Sequence, residues 1–185
     1  AAYYELAGQN GLDEGNVRLG MIYVDGEPLG KDFAKARKLL APAAAKNHPL
    51  ANFYLGVIAE NGLPNGEGKD PVQAQKYFEA AARAGSPDGQ FVAGYALLTG
   101  DNTRRDLAAA KEYLTRAANQ GYPAAQAVLG RLHAEGGLPG ADPVEAYKWL
   151  AIVLRDGGDD LLLAMAKTNF EALKPKLTPA QRALA

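Results

Sequence analysis

The chain is 185 residues long with a formal net charge of -1, from 20 Lys and Arg against 21 Asp and Glu, so it lacks the cationic excess that grips a polyanion and no nucleic-acid partner is expected. Cysteine is absent, which removes disulfides, thiol chemistry and cysteine-held metals while fitting reducing and oxidising compartments alike. Uninterrupted apolar runs such as Leu161–Ala166 fall far short of the roughly 20 residues that cross a bilayer, so no direct membrane insertion is expected.

Taken from the start, Ala1–Asn10 lack the basic opening and long apolar stretch of a secretion signal, which leaves export open. Tyr3-Tyr4-Glu5 to Gly11 stands in register with Tyr77-Phe78-Glu79 to Gly85. Residues 1–11 therefore read as the second helix of a truncated preceding repeat, and the chain as a fragment of a longer array. The register continues as a period. Leu19-Gly20, Leu55-Gly56, Ala93-Gly94 and Leu129-Gly130 carry glycines 36, 38 and 36 residues apart, and Asp32, Asp70, Asp106 and Asp142 repeat with the same period, at 38, 36 and 36. Ala36, Ala74, Ala110 and Ala146 follow four residues after each Asp. The two extra residues of the second interval fall in the Gly62–Asp70 connection, as insertions in repeats do.

Each unit reads as two helices. The first bears apolar residues at helical spacing around the Leu-Gly pair and stops at Gly26, Gly62, Gly100 or Gly136. The second opens on the periodic Asp, an N-cap whose carboxylate accepts from first-turn amides; Pro71 and Pro143 follow at the first helical position, and Gln73 and Glu145 are placed to complete capping boxes. Pro42 is expected to interrupt the second helix of the first complete unit. A glycine inside a helix costs about 1 kcal/mol against alanine, so its recurrence in the Leu-Gly pair predicts close backbone approach between the paired helices. The resulting division is 12–48, 49–86, 87–122 and 123–158 as repeats and 159–185 as capping helices, all in one solenoid domain. In the cap, Met165-Ala166 stands for Leu-Gly within 160–173, and Thr178-Pro179-Ala180-Gln181 opens a last short helix.

The combination of Leu-Gly, Tyr, Gly, Asp, Lys-Ala, aromatic and Ala-Ala at about 36 residues, clearest in Arg18-Leu19-Gly20-Met21-Ile22-Tyr23 with Asp32 and Lys35-Ala36, resembles the Sel-one-like repeat, a relative of the tetratricopeptide repeat. The resemblance covers nearly the whole chain. In the later units the tyrosine of Tyr23 becomes Ala59, Leu97 and His133, and the turn glycine becomes Asn47 in the first. It implies an all-α, right-handed α/α superhelix of about four repeats with terminal caps. It also implies a non-catalytic adaptor, of the kind linked in bacteria to envelope, exopolysaccharide, polarity or signalling systems, with a periplasmic or envelope location favoured over a cytoplasmic one.

The residues offer little raw material for catalysis: one serine, two histidines, no cysteine. Ser86 and His48 sit beside prolines in turns between units, Ser86 as a structural residue and His48 facing solvent. His133 occupies the slot of Tyr23, so a packed core ring is expected there rather than a metal ligand. Gly26–Lys31 is one residue short of a phosphate loop, and Asp156–Asp160 lacks the spaced ligands of a calcium loop and reads as a helix cap. No catalytic set, metal site or cofactor is expected. By the resemblance to tetratricopeptide arrays, the first helices line the inner face, with exposed positions two before and two, five and six after the Leu of each pair. These are Val17, Met21, Val24 and Asp25; Phe53, Val57, Glu60 and Asn61; Phe91, Tyr95, Leu98 and Thr99; Ala127, Arg131, Ala134 and Glu135. From them Met21, Asp25, Phe53, Val57, Glu60, Asn61, Phe91, Tyr95, Thr99, Arg131 and Glu135 form the candidate surface for a protein partner. Tyr95 is the leading anchor, while Phe53 and Phe91 fit either the groove or packing between neighbouring first helices. The alternative partner is a cell-wall glycan stacked on the same aromatics.

Overall fold

Helices of about 12–15 residues are marginal alone in water, so a chain built from them must gain its stability by packing one against the next. The computed structural model describes residues 13–62, 68–101 and 103–184; the segment 1–11, read above as part of a preceding repeat, lies outside them, as do five residues of the long connection after Gly62. Helices α1 (Asp13–Asp25), α2 (Phe33–Ala45), α3 (Pro49–Asn61), α4 (Pro71–Arg83), α5 (Pro87–Thr99), α6 (Leu107–Asn119) and α7 (Pro123–Glu135) are each 13 residues long. They are followed by α8 (Pro143–Asp156), α9 (Asp160–Leu173), a 3-10 turn (Lys174–Lys176) and α10 (Pro179–Leu184). No strand occurs among the described residues. Consecutive helices pack as pairs, the arrangement of a helical solenoid. Two compact units, residues 1–90 and 91–185, are described in turn.

The periodic glycine is a seat. A methyl group on Gly20 would stand 2.7 Å from Leu40 Cγ, and one on Gly56 would stand 2.6 Å from Phe78 Cδ1. In the second unit Gly94 and Gly130 meet Leu114 Cγ at 3.0 Å and Leu150 Cγ at 2.7 Å in the same way. Each of these large side chains is buried, so the helix partner sits directly on the glycine backbone, as the recurrence predicts. Small residues complete the seams: Ala36, Ala43 and Ala51 in the first unit, and Ala110, Ala117, Ala118 and Ala125 in the second, are essentially inaccessible. Gly89, which the periodicity does not single out, comes as close to backbone, since a Cβ there would lie 2.6 Å from Ala81 Cβ and 2.8 Å from the Ala82 nitrogen.

The four periodic aspartates are N-caps. Asp32, Asp70, Asp106 and Asp142 accept from the backbone amides of Lys35, Gln73, Ala108 with Ala109, and Val144. The reciprocal half of the capping box expected at Gln73 and Glu145 does not form, because the amide of each Asp is already engaged by the preceding helix. Asp32, Asp70 and Asp106 donate to the carbonyls of Tyr23, Ala59 and Leu97, at 2.9, 2.8 and 3.0 Å. Asp142 donates at 3.0 Å to Nδ1 of the His133 ring, which replaces a carbonyl at the equivalent repeat position. At the far end, Thr178 and Gln181 do make the reciprocal pair. Pro42 does not interrupt α2 as expected. The helix runs on to Ala45 because Pro42 and Lys38, whose carbonyl loses its i+4 donor, both face solvent near the last turn.

The joints between pairs are equally regular. Asn47, Gly85 and Gly121 take positive φ (60°, 93° and 82°), and the next residue, His48, Ser86 or Tyr122, donates its amide back to Ala43, Ala81 or Ala117. This is the Schellman closure of the second helix. The same residue then precedes Pro49, Pro87 or Pro123 and opens the next first helix, so the residue that ends one closure also starts the following helix. Ser86 Oγ accepts from the Gly89 amide at 3.1 Å, the structural role expected of it. His48 is half-buried rather than solvent-facing: Nδ1 accepts from the Ala51 amide and Nε2 lies 3.3 Å from Glu14 Oε2, since it too must cap a helix. Two carboxamide residue types, Asn and Gln, also take part in these joints. The side-chain amides of Asn52, Gln90 and Gln126, each about 95% buried, reach back to the carbonyls of Ala44, Ala82 and Ala118.

Two outcomes follow from these contacts. Gly130→Val is expected to lower the unfolding free energy in urea by about 1–3 kcal/mol, since the new Cβ overlaps Leu150. A Gly130→Ala, Leu150→Ala pair should be less destabilised than the two single changes summed, and strict additivity would remove the seat. For His133, burial pushes the ring below its usual pKa and nearby Lys111 acts in the same direction, while Glu145 and Asp142 oppose them. The neutral ring is thus favoured on folding, its contribution is fully present above about pH 6.5, and it declines as pH falls toward the lower folded value. Between about pH 7.5 and about pH 5 the wild type should lose more stability than His133→Leu, and parallel melting curves would refute this.

Candidate functional site

The groups most able to do chemistry have structural employment. Ser86 and both histidines are caps or backbone acceptors, and Asp159 accepts from the Leu162 amide at 2.8 Å, the cap role expected in 156–160. Asp156 pairs with Arg155, which holds its carboxyl below the usual range. No cluster of His, Asp or Glu suited to a metal ion occurs among the described residues.

In the first unit, Asp25, Glu60 and Asn61 are exposed, as the candidate surface requires, with the Asn61 side chain donating to the Val57 carbonyl at 2.8 Å. Met21 and Val57 are half-buried against the core of the unit. Phe53 is half-buried too, edge-on to Tyr54 at 5.4 Å and tilted on Phe78 at 5.7 Å, so it packs against the side chain that fills the Gly56 seat. Burial, helped by Asp25 and Asp88, pushes the Tyr54 phenol up and keeps it neutral.

In the second unit two of the candidate residues, Phe91 and Tyr95, meet at one opening. Phe91 lies 5.9 Å from Tyr95 and 5.1 Å from Tyr122, ring to ring. With Tyr95, Phe91 lines an open apolar cleft of about 340 Å³ whose remaining walls are Ala124, Val128, Asp159, Leu161, Leu162 and Met165. Tyr95 is 42% exposed and Leu161 82%, so large apolar groups stand at the lip. Thr99 is exposed and donates to the Tyr95 carbonyl at 3.1 Å; Arg131 and Glu135 pair at 2.8 Å. The sequence marks α9 only as a cap, whereas the structure makes it one side of the cleft. The signal for it was the apolar run Leu161–Ala166, whose first residue falls on an exposed first turn.

The exposed face is narrower than expected. Val17 and Ala127, two before the Leu, and Val24 and Leu98, five after it or its equivalent, are buried. These two positions are seven residues apart and share a stripe, which packs against the neighbouring first helix, as α1 does on α3 and α7 on α9. Positions two and six after remain at the surface in every repeat, to differing degrees.

A family model described as Sel1 repeat matches residues 13–48, 49–86, 87–122 and 123–152. No curated protein matches significantly. Among solved structures, a Sel1 repeat protein from Oxalobacter formigenes is similar over 95% of this chain and 78% of its own length, at 23% identity and a TM-score of 0.73. A second, c5321, a protective antigen of uropathogenic Escherichia coli strains with an SLR fold, is similar over 96% of this chain and 44% of its own, at 23% identity and a TM-score of 0.55. At such identities the two structures speak for the fold. With four successive repeat matches taking up most of its length, the chain belongs to the Sel1 repeat family, whose proteins are in general non-catalytic helical scaffolds for protein partners.

Proposed function

We propose that this protein is an interaction scaffold that receives a segment of a partner protein on the exposed side of its first helices. In the first unit the contact residues are Met21, Asp25, Phe53, Val57, Glu60 and Asn61; in the second they are Phe91, Tyr95, Thr99, Arg131 and Glu135. The observation that carries this reading is the open cleft of the second unit, where Tyr95 and Leu161 hold apolar surface in water beside an apolar floor. Exposed apolar clefts of this kind gain free energy when a partner covers them, and rigid aromatics are frequent anchors. The ion pair Arg131–Glu135 and the carboxylates of Asp25 and Glu60 would set register rather than supply most of the affinity. The family resemblance points to a bacterial envelope, polarity or signalling assembly as the setting.

The test is crosslinking capture from the native organism with wild type, Tyr95→Ala and the Phe91→Ala, Tyr95→Ala double variant, each checked for helicity. Tyr95 is exposed, so its single variant keeps its fold even if loss of Phe91 disturbs Tyr122. Recovery of the specific partner is expected to fall about tenfold with Tyr95→Ala, the scale of an interface anchor. Equal recovery by all three proteins would overturn the assignment of this surface. Retention on a cell-wall glycan column that is lost with Tyr95→Ala, with no protein captured, would overturn the class of partner.

A further inference from the structure

The cleft of the second unit has a shape and a charge that specify its occupant more closely. Its three walls each present residues four apart on one helix: Phe91 and Tyr95 on α5, Ala124 and Val128 on α7, Leu161 and Met165 on α9. Residues four apart face the same side of a helix, so the cleft is drawn out along the helices rather than closed into a round hole. Its volume of about 340 Å³ lies at the small end of ligand pockets, roughly 300–1,000 Å³, and suits a few apolar side chains. The one charged lining group is Asp159, and Asp160 beside it is exposed.

Asp159 uses Oδ1 to cap α9 through the Leu162 amide, which leaves Oδ2 able to accept. On the helices that wall the cleft, Arg131 is matched by Glu135 at 2.8 Å, and Lys167 stands seven residues beyond Asp160 on α9. Asp159 and Asp160 thus set two adjacent carboxylates at the lip, next to an apolar trough. A sugar would find few hydrogen-bonding groups there, and an acidic segment would be repelled.

Resting on the scaffold reading, we infer that this cleft seats a basic amphipathic helix of a partner protein, with two apolar side chains four residues apart entering between Tyr95 and Leu161 and a Lys or Arg meeting Asp159 and Asp160. Helix-in-groove recognition uses such i and i+4 anchors, and the carboxylates fix direction and register.

A displayed library of helical peptides selected on the wild-type protein tests this, with fluorescence anisotropy on the enriched peptides. Enriched sequences are expected to be net positive with apolar residues four apart. Leu161→Ser, a change at an exposed site, should weaken them about tenfold, and Asp159→Asn with Asp160→Asn, which keeps a good cap residue, should weaken them several-fold and flatten their salt dependence. Enriched peptides that are neutral or acidic, or that ignore both sets of variants, overturn the inference and leave the scaffold reading intact. Absence of any enriched peptide overturns both. Glycan-array binding lost in Leu161→Ser overturns it in favour of a carbohydrate.

Discussion

Everything else in the structure depends on a large side chain resting on a glycine. Gly20, Gly56, Gly94 and Gly130 lie under Leu40, Phe78, Leu114 and Leu150, at separations where no Cβ fits without displacement. Each glycine weakens its own helix by about 1 kcal/mol, which the burial of one Leu or Phe, about 1.5–3 kcal/mol, offsets. Helices this short are not stable singly, so the favourable term exists only in the pair. The hairpin is therefore the unit of stability, and its repetition makes the units alike.

What the seat does within a pair, the joint does between pairs. A residue that ends a Schellman turn and at once caps the following helix leaves no slack in the connection, and proline at the next position restricts it further. The buried amides of Asn52, Gln90 and Gln126 close the same joint from inside, each adding a second donor to a carbonyl that already accepts a turn amide. In the fourth repeat the joint within the pair differs, with the His133 ring standing in for a carbonyl. That substitution turns a pH-independent hydrogen bond into one that requires a neutral imidazole.

This economy shapes what the molecule can offer another. Serine and histidine, the residues with intrinsic reactivity, are occupied by the backbone, and the exposed positions of the first helices carry apolar, amide and charged groups suited to recognition. Because caps and seats hold those positions, little ordering remains to be done when a partner arrives, a favourable condition for affinity from a modest area. The cleft at Tyr95 and Leu161 sets two exposed large apolar side chains beside an apolar floor, and there the cap helix α9 supplies surface as well as shielding.

Period, caps, stops and glycine seats were legible in the amino-acid order because each is a demand of the backbone that few residue types meet: a carboxylate for open amides, glycine or asparagine for positive φ, no side chain where a neighbour sits. The buried amides were not legible, since an Asn or Gln in a helix looks the same whether it faces water or a carbonyl eight residues back. Nor was the burial of Val17, Val24, Leu98 and Ala127, or the joining of α9 to Phe91 and Tyr95 in one cleft. Those outcomes rest on the angle and spacing at which one first helix meets the next. Helical periodicity reports which residues share a stripe, whereas only packing in three dimensions decides what that stripe confronts.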